Sequence, residues 1–303
     1  MKLIDRFLEH FSDRCQVYYP AIEKARRRHP DTFDALGETL LGWASQKLGD
    51  GWEETLSAGY MHFLMDVNRS QMEYERRGHY PNKSYDEVYK TVYDNPEFMD
   101  RYHWGVFVTT FAWEHHLEIY EFFRSAFLPK LQGKEGRLLD LGSGSGVWSL
   151  LTLQDKKGWI SQGIDISRHS VGIASAMAET AKASSQVRFS VADALEHQDE
   201  SLYDAGVSCF LLEHLEGPQR LFDNLARNLK PGAWAFVTAA LTAAEADHIA
   251  EFKKESEILQ MVERAGFRAV AMHSAAPDTH PRSQQFLPRS MAVVLQKKHN
   301  DIW

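Results

Sequence analysis

The ten residues Arg137–Gly146, with the sequence RLLDLGSGSG, constrain the fold of this chain more than any other segment. Two leucines lead to Asp140, and glycines follow at positions 142, 144 and 146. This pattern is typical of a buried strand that ends at a loop with few side chains, because glycine permits backbone conformations closed to other residues and lets a ligand approach the backbone. The stretch Val147–Leu153 then indicates a helix, whose first N–H groups would face the loop. The sequence therefore predicts a nucleotide-type binding turn.

The spacing of these glycines excludes two common nucleotide-binding loops. The dinucleotide fingerprint requires glycine at the sixth position counted from Gly142, where this chain has Val147. A phosphate-binding loop ends in Gly-Lys-Ser/Thr, and no lysine follows Gly146. Instead, the D-x-G-x-G-x-G pattern that begins at Asp140 resembles motif I of class I S-adenosylmethionine-dependent methyltransferases, in which the ligand is a nucleoside with an amino-acid tail.

Later segments are similar to the other motifs of that family, in the same order. The runs WISQGID and VRFSVAD end at Asp165 and Asp193, and YDAGVSCFLLEHL, LKPGA and AGF follow. The resemblance implies that S-adenosylmethionine is the cofactor, that Asp165 accepts hydrogen bonds from both ribose hydroxyls, and that Asp193 lies beside the adenine amine. The cofactor-binding residues that it implies are Asp140, Gly142, Ser143, Gly144, Gly146, Asp165, Ile166, Asp193, Ala194 and Phe210.

The same resemblance implies an α/β fold with a Rossmann-like, seven-stranded methyltransferase sheet in residues 131–303. Strand-like and helical stretches alternate beyond Arg137, which favours parallel β-α-β units. We expect the longest helix at Ala243–Ala265, with Ile249, Phe252, Ile258 and Leu259 facing inward, and a long hairpin loop at Ala275–Pro288. The expected strands lie near residues 137–141, 160–165, 187–192, 205–210, 233–238, 268–273 and 291–296, and the last of them is expected to be antiparallel.

Residues 1–130 are expected to form an N-terminal all-α domain, which we call the hood. Leu3, Ile4, Phe7, Leu8 and Phe11 share one face of a helix, and no strand-like alternation is sustained in this part of the chain. In the family that the chain resembles, a helical hood usually supplies the substrate pocket.

One hood segment, Tyr93–Phe127, holds eleven aromatic residues among thirty-five. Trp104, Phe107 and Phe111 follow a spacing that places them on one helix face. This face either forms a buried centre of the hood or lies against the sulfonium of the cofactor, where aromatic faces gain about 0.5–2 kcal/mol from a cation. On the second interpretation, Trp104 and Phe111 are candidate catalytic residues.

Three histidines are candidate proton acceptors. His214 follows the fourth expected strand, and His115 and His116 are adjacent on the aromatic segment, so that one of the pair is expected to line a pocket. An imidazole can accept a proton near neutral pH, although each of these rings is also compatible with a structural role. No His/Cys cluster has the spacing of metal ligands, so no metal is expected.

Charge and composition restrict the partners and the compartment. The formal net charge is −8 and the longest basic block is Arg26–Arg28, which argues against nucleic acid as a substrate. The start MKLIDRFLEHF resembles neither a signal nor a transit peptide, and no apolar run approaches the length of a membrane span. Cys15 and Cys209 are expected to be reduced thiols. We therefore expect a cytoplasmic enzyme that acts on a small molecule without a membrane partner, and whether it forms a homodimer stays open.

Three functions are compatible with these residues. The leading hypothesis is a methyltransferase with a small-molecule acceptor, because the resemblance implies an activated sulfonium that needs mainly an aligned nucleophile and a dry site. The alternative is a cyclase, a carbon–sulfur lyase that forms azetidine-2-carboxylate and methylthioadenosine from the same cofactor. The third is a non-catalytic module that binds S-adenosylmethionine.

Overall fold

A seven-stranded mixed sheet forms the centre of the computed structural model, which describes residues 1–89, 96–199, 202–276 and 285–299. The strand order is β3-β2-β1-β4-β5-β7-β6, and β7 runs antiparallel to both of its neighbours. This confirms the expected α/β fold, its seven strands and its antiparallel last strand. The strands are β1 (Gly136–Leu141), β2 (Trp159–Asp165), β3 (Val187–Val191), β4 (Tyr203–Ser208), β5 (Leu229–Leu241), β6 (Phe267–Ala275) and β7 (Arg289–Lys297).

The central strand β1 explains why the glycine loop has a fixed position. It pairs in parallel with β2 on one side and β4 on the other, and Leu138, Leu139 and Leu141 are fully buried. Strands buried on both faces have near-continuous apolar runs. Because parallel strands end at the same edge of a sheet, the loops after β1, β2 and β4 meet there, where ligands of such sheets bind.

Helices make up the described part of the hood and flank the sheet. Among the described residues, no helix is both long and apolar enough to cross a membrane. The helices are α1 (Leu3–Arg14), α2 (Tyr19–Arg28), α3 (Pro30–Leu48), α4 (Trp52–Arg77), α5 (Tyr85–Val88), α6 (Pro96–Ala112), α7 (Glu114–Phe122), α8 (Val147–Asp155), α9 (Arg168–Thr180), α10 (Gln219–Asn228) and α11 (Glu255–Arg264).

The expected helix over Ala243–Ala265 is wrong in its first half. Only α11 is helical, and residues 242–254, which we call the β5–α11 loop, are irregular. The carboxylate of Glu257 accepts the backbone N–H groups of Lys253 and Lys254, which begins the helix there. Phe252 and Ile258 are buried as expected, whereas Ile249 and Leu259 are only partly buried. Most of the expected loop at Ala275–Pro288 lies outside the described residues, as does Tyr93.

The β5–α11 loop is bound to the hood. The side chain of Gln71, in α4, accepts the Ala244 N–H at 3.0 Å and donates to the Thr242 carbonyl at 3.4 Å. The hydroxyl of Tyr80 donates to the Ala243 carbonyl at 2.7 Å. Tertiary contacts therefore satisfy backbone groups that a helix would otherwise have paired with one another.

The hood and the sheet share one hydrophobic core. The rings of Phe123 and Phe127 contact that of Phe236 in β5, with centroids 5.1 and 5.6 Å apart, and Trp148 of α8 packs against the same cluster. Aromatic pairs at these separations contribute about 0.5–1.5 kcal/mol beyond the area that they bury. The predicted division of the chain at residue 130 stays a prediction.

Candidate functional site between the hood and the sheet

The loop after β1 is built by three glycines with left-handed backbones. Gly142, Gly144 and Gly146 have φ values of +72°, +51° and +77°. A Cβ on Gly142 would lie 2.7 Å from the Leu211 side chain, and one on Gly146 would lie 2.5 Å from Phe189. A Cβ on Gly144 would meet nothing within 4 Å. Packing therefore requires the outer two glycines, whereas Gly144 borders open space.

Asp165, at the end of β2, holds this loop in place. Its Oδ2 accepts the Gly144 N–H at 2.9 Å, and its Oδ1 accepts the Ser167 N–H at 2.8 Å. Burial raises the pKa of the Asp165 carboxyl, and these two N–H donors oppose the rise. Each carboxylate oxygen can accept a further hydrogen bond, so the group can also receive ligand hydroxyls.

A cavity of about 490 Å³, which we call the first chamber, opens beside the loop. Its wall includes Asp165 and five other predicted cofactor-binding residues, and the cavity extends to α6 of the hood. Ser143 Oγ and His103 Nε2 are buried in this wall and have no hydrogen-bond partner among the described residues. The predicted residues in the wall are Gly142, Ser143, Gly144, Asp165, Ile166 and Phe210.

Four predicted cofactor-binding residues do not line the first chamber: Asp140, Gly146, Asp193 and Ala194. Asp140 is fully buried, and its Oδ2 accepts a hydrogen bond from Ser149 Oγ at 2.6 Å. Burial raises the pKa of the Asp140 carboxyl to about 7. The structure gives Asp140 a supporting position beneath the loop, and its contact with the cofactor stays a prediction. The Asp193 side chain accepts the Leu195 N–H at 2.8 Å, and its contact with adenine stays a prediction.

The two aromatic candidates of α6, Trp104 and Phe111, lie in the hood core instead of the chamber wall. Phe111 is fully buried, and its ring meets those of Phe7 and Phe33 edge-on at 5.8 and 5.9 Å. Trp104 packs against Gly59 of α4, where an added Cβ would approach it to 3.0 Å. Their expected catalytic role is therefore corrected to a structural one, and Phe107, from the same helix face, lines the chamber.

A second chamber of about 260 Å³ adjoins the first. Aromatic residues, including Phe63, Trp113 and His115, make up part of its wall. The candidate His115 lies in this wall alone, and burial lowers the pKa of its imidazole to about 4, so the ring is neutral. The walls of both chambers include Tyr102, Val106, Thr109, His116, Phe210 and His214.

Phe210 lies at the junction of the two chambers in a strained conformation. Its φ is +53°, a region that non-glycine residues rarely adopt, and its N–H donates to Thr238 Oγ1 at 2.9 Å. The ring lies 4.8 Å from that of His116. Strain of this kind costs about 1–3 kcal/mol and concentrates at ligand-binding sites.

The third histidine candidate, His214, belongs to an acidic cluster beside the junction. Its Nδ1 lies 3.3 Å from both the carbonyl oxygen and Oδ2 of Asp247. Burial disfavours the imidazolium, but the charges of Asp247, Glu213 and Glu245 outweigh burial and raise the pKa of His214. Burial also raises the pKa of Glu213 to about 7 and raises that of Glu245. The His248 ring lies 4.9 Å from that of His214.

Sequence reasoning missed most of this cluster. Glu213 and His214 are adjacent, as are Asp247 and His248, but more than thirty residues separate the two pairs. The Ile249 and Ala250 N–H groups both donate to the Glu213 carbonyl, at 2.7 and 2.9 Å, which brings the pairs together. The two acid–histidine dipeptides were the only signal of this cluster in the sequence, because no helical or strand periodicity relates one dipeptide to the other.

Known proteins share the family and the fold of this chain. A family model described as a methyltransferase domain matches residues 113–272. The ubiquinone biosynthesis O-methyltransferase of Paracidovorax citrulli is 32% identical over 120 residues, which are 39% of this chain and 49% of that protein. Phosphoethanolamine N-methyltransferase 2 of Caenorhabditis elegans is 30% identical over 154 residues, which are 49% of this chain and 33% of that protein. The chain thus spans half or less of the length of these two relatives.

A solved structure shows the same fold. The crystal structure of the [4+2]-cyclase SpnF superposes with a TM-score of 0.51 at 19% identity, over 62% of this chain and 84% of that one. Because the family model covers more than half of the sequence, this chain belongs to the methyltransferase-domain family.

Proposed function

We propose that this protein binds S-adenosylmethionine in the first chamber and transfers its methyl group to a hydroxyl of a small molecule in the second. The observation that supports this most directly is the pair of adjoining cavities, about 490 and 260 Å³, whose walls share residues. A methyltransferase needs room for two ligands. A cyclase needs room for one, because its nucleophile is part of the cofactor.

The chain's residues fit the cofactor. Gly144 leaves the loop backbone open to the first chamber, and Asp165 has acceptor capacity for two ribose hydroxyls. The buried Ser143 Oγ and His103 Nε2 have no partner among the described residues, so they are available to polar groups of a ligand. Unpaired buried polar atoms cost about 1–3 kcal/mol each, which ligand binding would recover.

The residues between the chambers suit methyl transfer. Bound S-adenosylmethionine would supply a methyl group on a positively charged sulfur, and the electron pair of the carbon–sulfur bond would stay on sulfur as the acceptor oxygen bonded to the methyl carbon. The rings of Phe210 and His116 lie in the walls of both chambers, where they would limit the contact of water with the reacting atoms. The His214–Asp247 pair lies beside it and can accept the hydroxyl proton, which a hydroxyl acceptor must lose.

The second chamber, which the hood helps to enclose, favours a small acceptor over a polymer. The second chamber is bounded by side chains from the hood, such as Phe63 and Trp113, and from the β5–α11 loop, such as Glu245. A space of about 260 Å³ holds a molecule of modest size and not a folded nucleic acid or protein surface. The partners we propose are therefore a small molecule and the cofactor.

Product analysis tests this function. The purified chain is incubated with S-adenosylmethionine alone, and then with a small catechol, a small phenol or phosphoethanolamine, and the products are identified by mass spectrometry. We expect S-adenosylhomocysteine and a methylated acceptor only when a hydroxyl acceptor is present. Methylthioadenosine formed without any acceptor would establish the cyclase instead, and unaltered cofactor with every acceptor would favour a binding module. The Asp165→Ala variant is the control for enzyme dependence.

A further inference from the structure

We propose that Glu213, His214 and His248 bind a divalent transition-metal ion in the wall of the second chamber, where it orients the acceptor hydroxyl. One carboxylate oxygen and one nitrogen of each ring lie within 4.8 Å of one another. Three ligands at such spacing can converge on one ion and leave positions open for a substrate. The role of the ion rests on the proposed function, whereas its binding does not.

Two segments fix the positions of the three ligands. Glu213 and His214 lie in a single helical turn after β4, and His248 lies in the β5–α11 loop. The Ile249 and Ala250 N–H groups donate to the Glu213 carbonyl, so the backbones of the two segments are joined directly. The ligand positions are therefore held before any ion arrives, which reduces the entropy that binding must overcome.

An unpaired buried atom points to a missing partner. Glu213 is 1% exposed, and its Oε2 has no hydrogen-bond partner among the described residues. A buried carboxylate oxygen without a partner costs more than a neutral group would. Arg289, a basic residue of the same chamber wall, pairs with Glu255 at 3.1 Å and does not form a hydrogen bond with Glu213 Oε2. A cation bound at Glu213 would supply the missing partner.

The hydrogen bonds of His248 orient it as a metal ligand. Its Nδ1 lies 2.7 Å from the Ala243 carbonyl oxygen, which can only accept, so Nδ1 carries the proton and Nε2 keeps its lone pair. Metal-binding histidines usually donate their second ring N–H to a carbonyl or carboxylate in this way. His248 Nε2 also lies 3.7 Å from Glu245 Oε2, and the ring is 2% exposed.

The donor set restricts the ion. Two imidazoles with a carboxylate suit Zn²⁺, Mn²⁺, Co²⁺ or Fe²⁺, whereas Mg²⁺ and Ca²⁺ prefer oxygen ligands throughout. An ion at this place faces the second chamber, whose wall includes all three ligands. It would bind the acceptor oxygen and favour its deprotonated form. With the ion bound, His214 acts as a ligand, and the ion takes over the task of activating the hydroxyl. The expectation that no metal is present is replaced by this proposal.

Calorimetry with the metal alone tests the site. The full chain is treated with EDTA, dialysed, and titrated with ZnCl₂ or MnCl₂ without cofactor. We expect one ion per chain, and at least about tenfold weaker binding for Glu213→Gln and His248→Gln. The control is His29→Gln, because His29, Glu114 and Glu118 form another cluster with ligand-like spacing outside both chambers. Equal affinity in all three variants, or loss of binding in the control alone, would overturn the proposal.

Two further measurements separate this proposal from the proposed function. Visible absorption of the Co²⁺-loaded wild type reports nitrogen and oxygen ligands even where a variant fails to fold, and a spectrum identical to aqueous Co²⁺ would overturn the site. Methyl transfer is then assayed with EDTA and with EDTA plus excess Mn²⁺. Loss of activity in EDTA and its recovery with Mn²⁺ support the role of the ion. Full activity in EDTA overturns that role but leaves the proposed methyltransferase function unchanged. Metal binding without turnover on any acceptor would leave the site standing and contradict the proposed function.

Discussion

The backbone N–H of Gly144 donates to Oδ2 of Asp165 at 2.9 Å and so joins the loop after β1 to the end of β2. The residue that is expected to bind the ribose also determines the shape of the loop beside it. A substitution of Asp165 therefore changes both a ligand contact and the backbone that surrounds the ligand.

Asp165→Ala should weaken S-adenosylmethionine binding by more than the roughly 1–3 kcal/mol expected for lost hydrogen bonds to a charged group. Asp165→Asn keeps one carbonyl oxygen as an acceptor and should lose less. Titration calorimetry with S-adenosylmethionine measures both, with the exposed Asp155→Asn as the control. Equal affinity in Asp165→Ala and the wild type would mean that Asp165 acts only at the end of its strand.

Gly144→Ala should weaken cofactor binding while the protein still folds. The added Cβ would enter open space beside the first chamber, and the left-handed backbone adds about 1–2 kcal/mol of strain. Gly51→Ala is the matched control, because Gly51 has a left-handed backbone with a φ of +83° and also has nothing within 4 Å of its Cβ position, but lies in the hood. Comparable loss of stability in both variants, with loss of binding only in Gly144→Ala, is the expected result from thermal denaturation and calorimetry.

Phe111→Ala and Val106→Ala should separate the hood core from the chamber wall. Phe111 is fully buried among other rings, so its loss should lower the free energy of unfolding by about 3–5 kcal/mol. Val106 is 38% exposed and lines both chambers, so its loss should change turnover with a stability change below about 1 kcal/mol. Urea unfolding and initial rates distinguish them, and unchanged turnover in Val106→Ala would contradict the position of the acceptor.

Asp140 should make stability fall as pH rises between about 4 and 7. Burial raises the pKa of its carboxyl from an ordinary 3.8 to about 7, so within this range the folded protein keeps a proton that the unfolded chain has released. Unfolding then releases protons, and each unit of pKa difference corresponds to about 1.4 kcal/mol. Asp140→Asn cannot ionise, so it should gain stability relative to wild type between pH 5 and pH 7.5. The same difference at both pH values, measured by urea unfolding of the cofactor-free protein, would contradict this reasoning.

The strands could be predicted because their environment leaves a simple signal. Strands buried between two helical layers are apolar runs, and β1 and β2 each carry an acid in their last two positions, Asp140 and Asp165. The glycine loop likewise requires backbone conformations that few other residues adopt, so its position was visible in the sequence.

The sequence could not predict in the same way which rings of α6 face the cavity, or that the β5–α11 loop is irregular. Helix α6 contains Trp104, Phe107 and Phe111 on one face, and periodicity does not distinguish a ring in the core from a ring at a cavity when both are apolar. Residues 243–254 have acceptable helix propensity, but contacts with Gln71 and Glu213, distant in sequence, decide their conformation. The acid–histidine cluster depends on the same distant contacts.

The hydrogen bonds from Gln71 to the β5–α11 loop have a consequence for exchanging parts between relatives. A transplanted hood with no glutamine at position 71 would lack the amide that pairs with Thr242 and Ala244, and the loop that carries Asp247 and His248 would lose these two hydrogen bonds. Chimaeras should therefore exchange residues 52–89 and 242–254 as one unit.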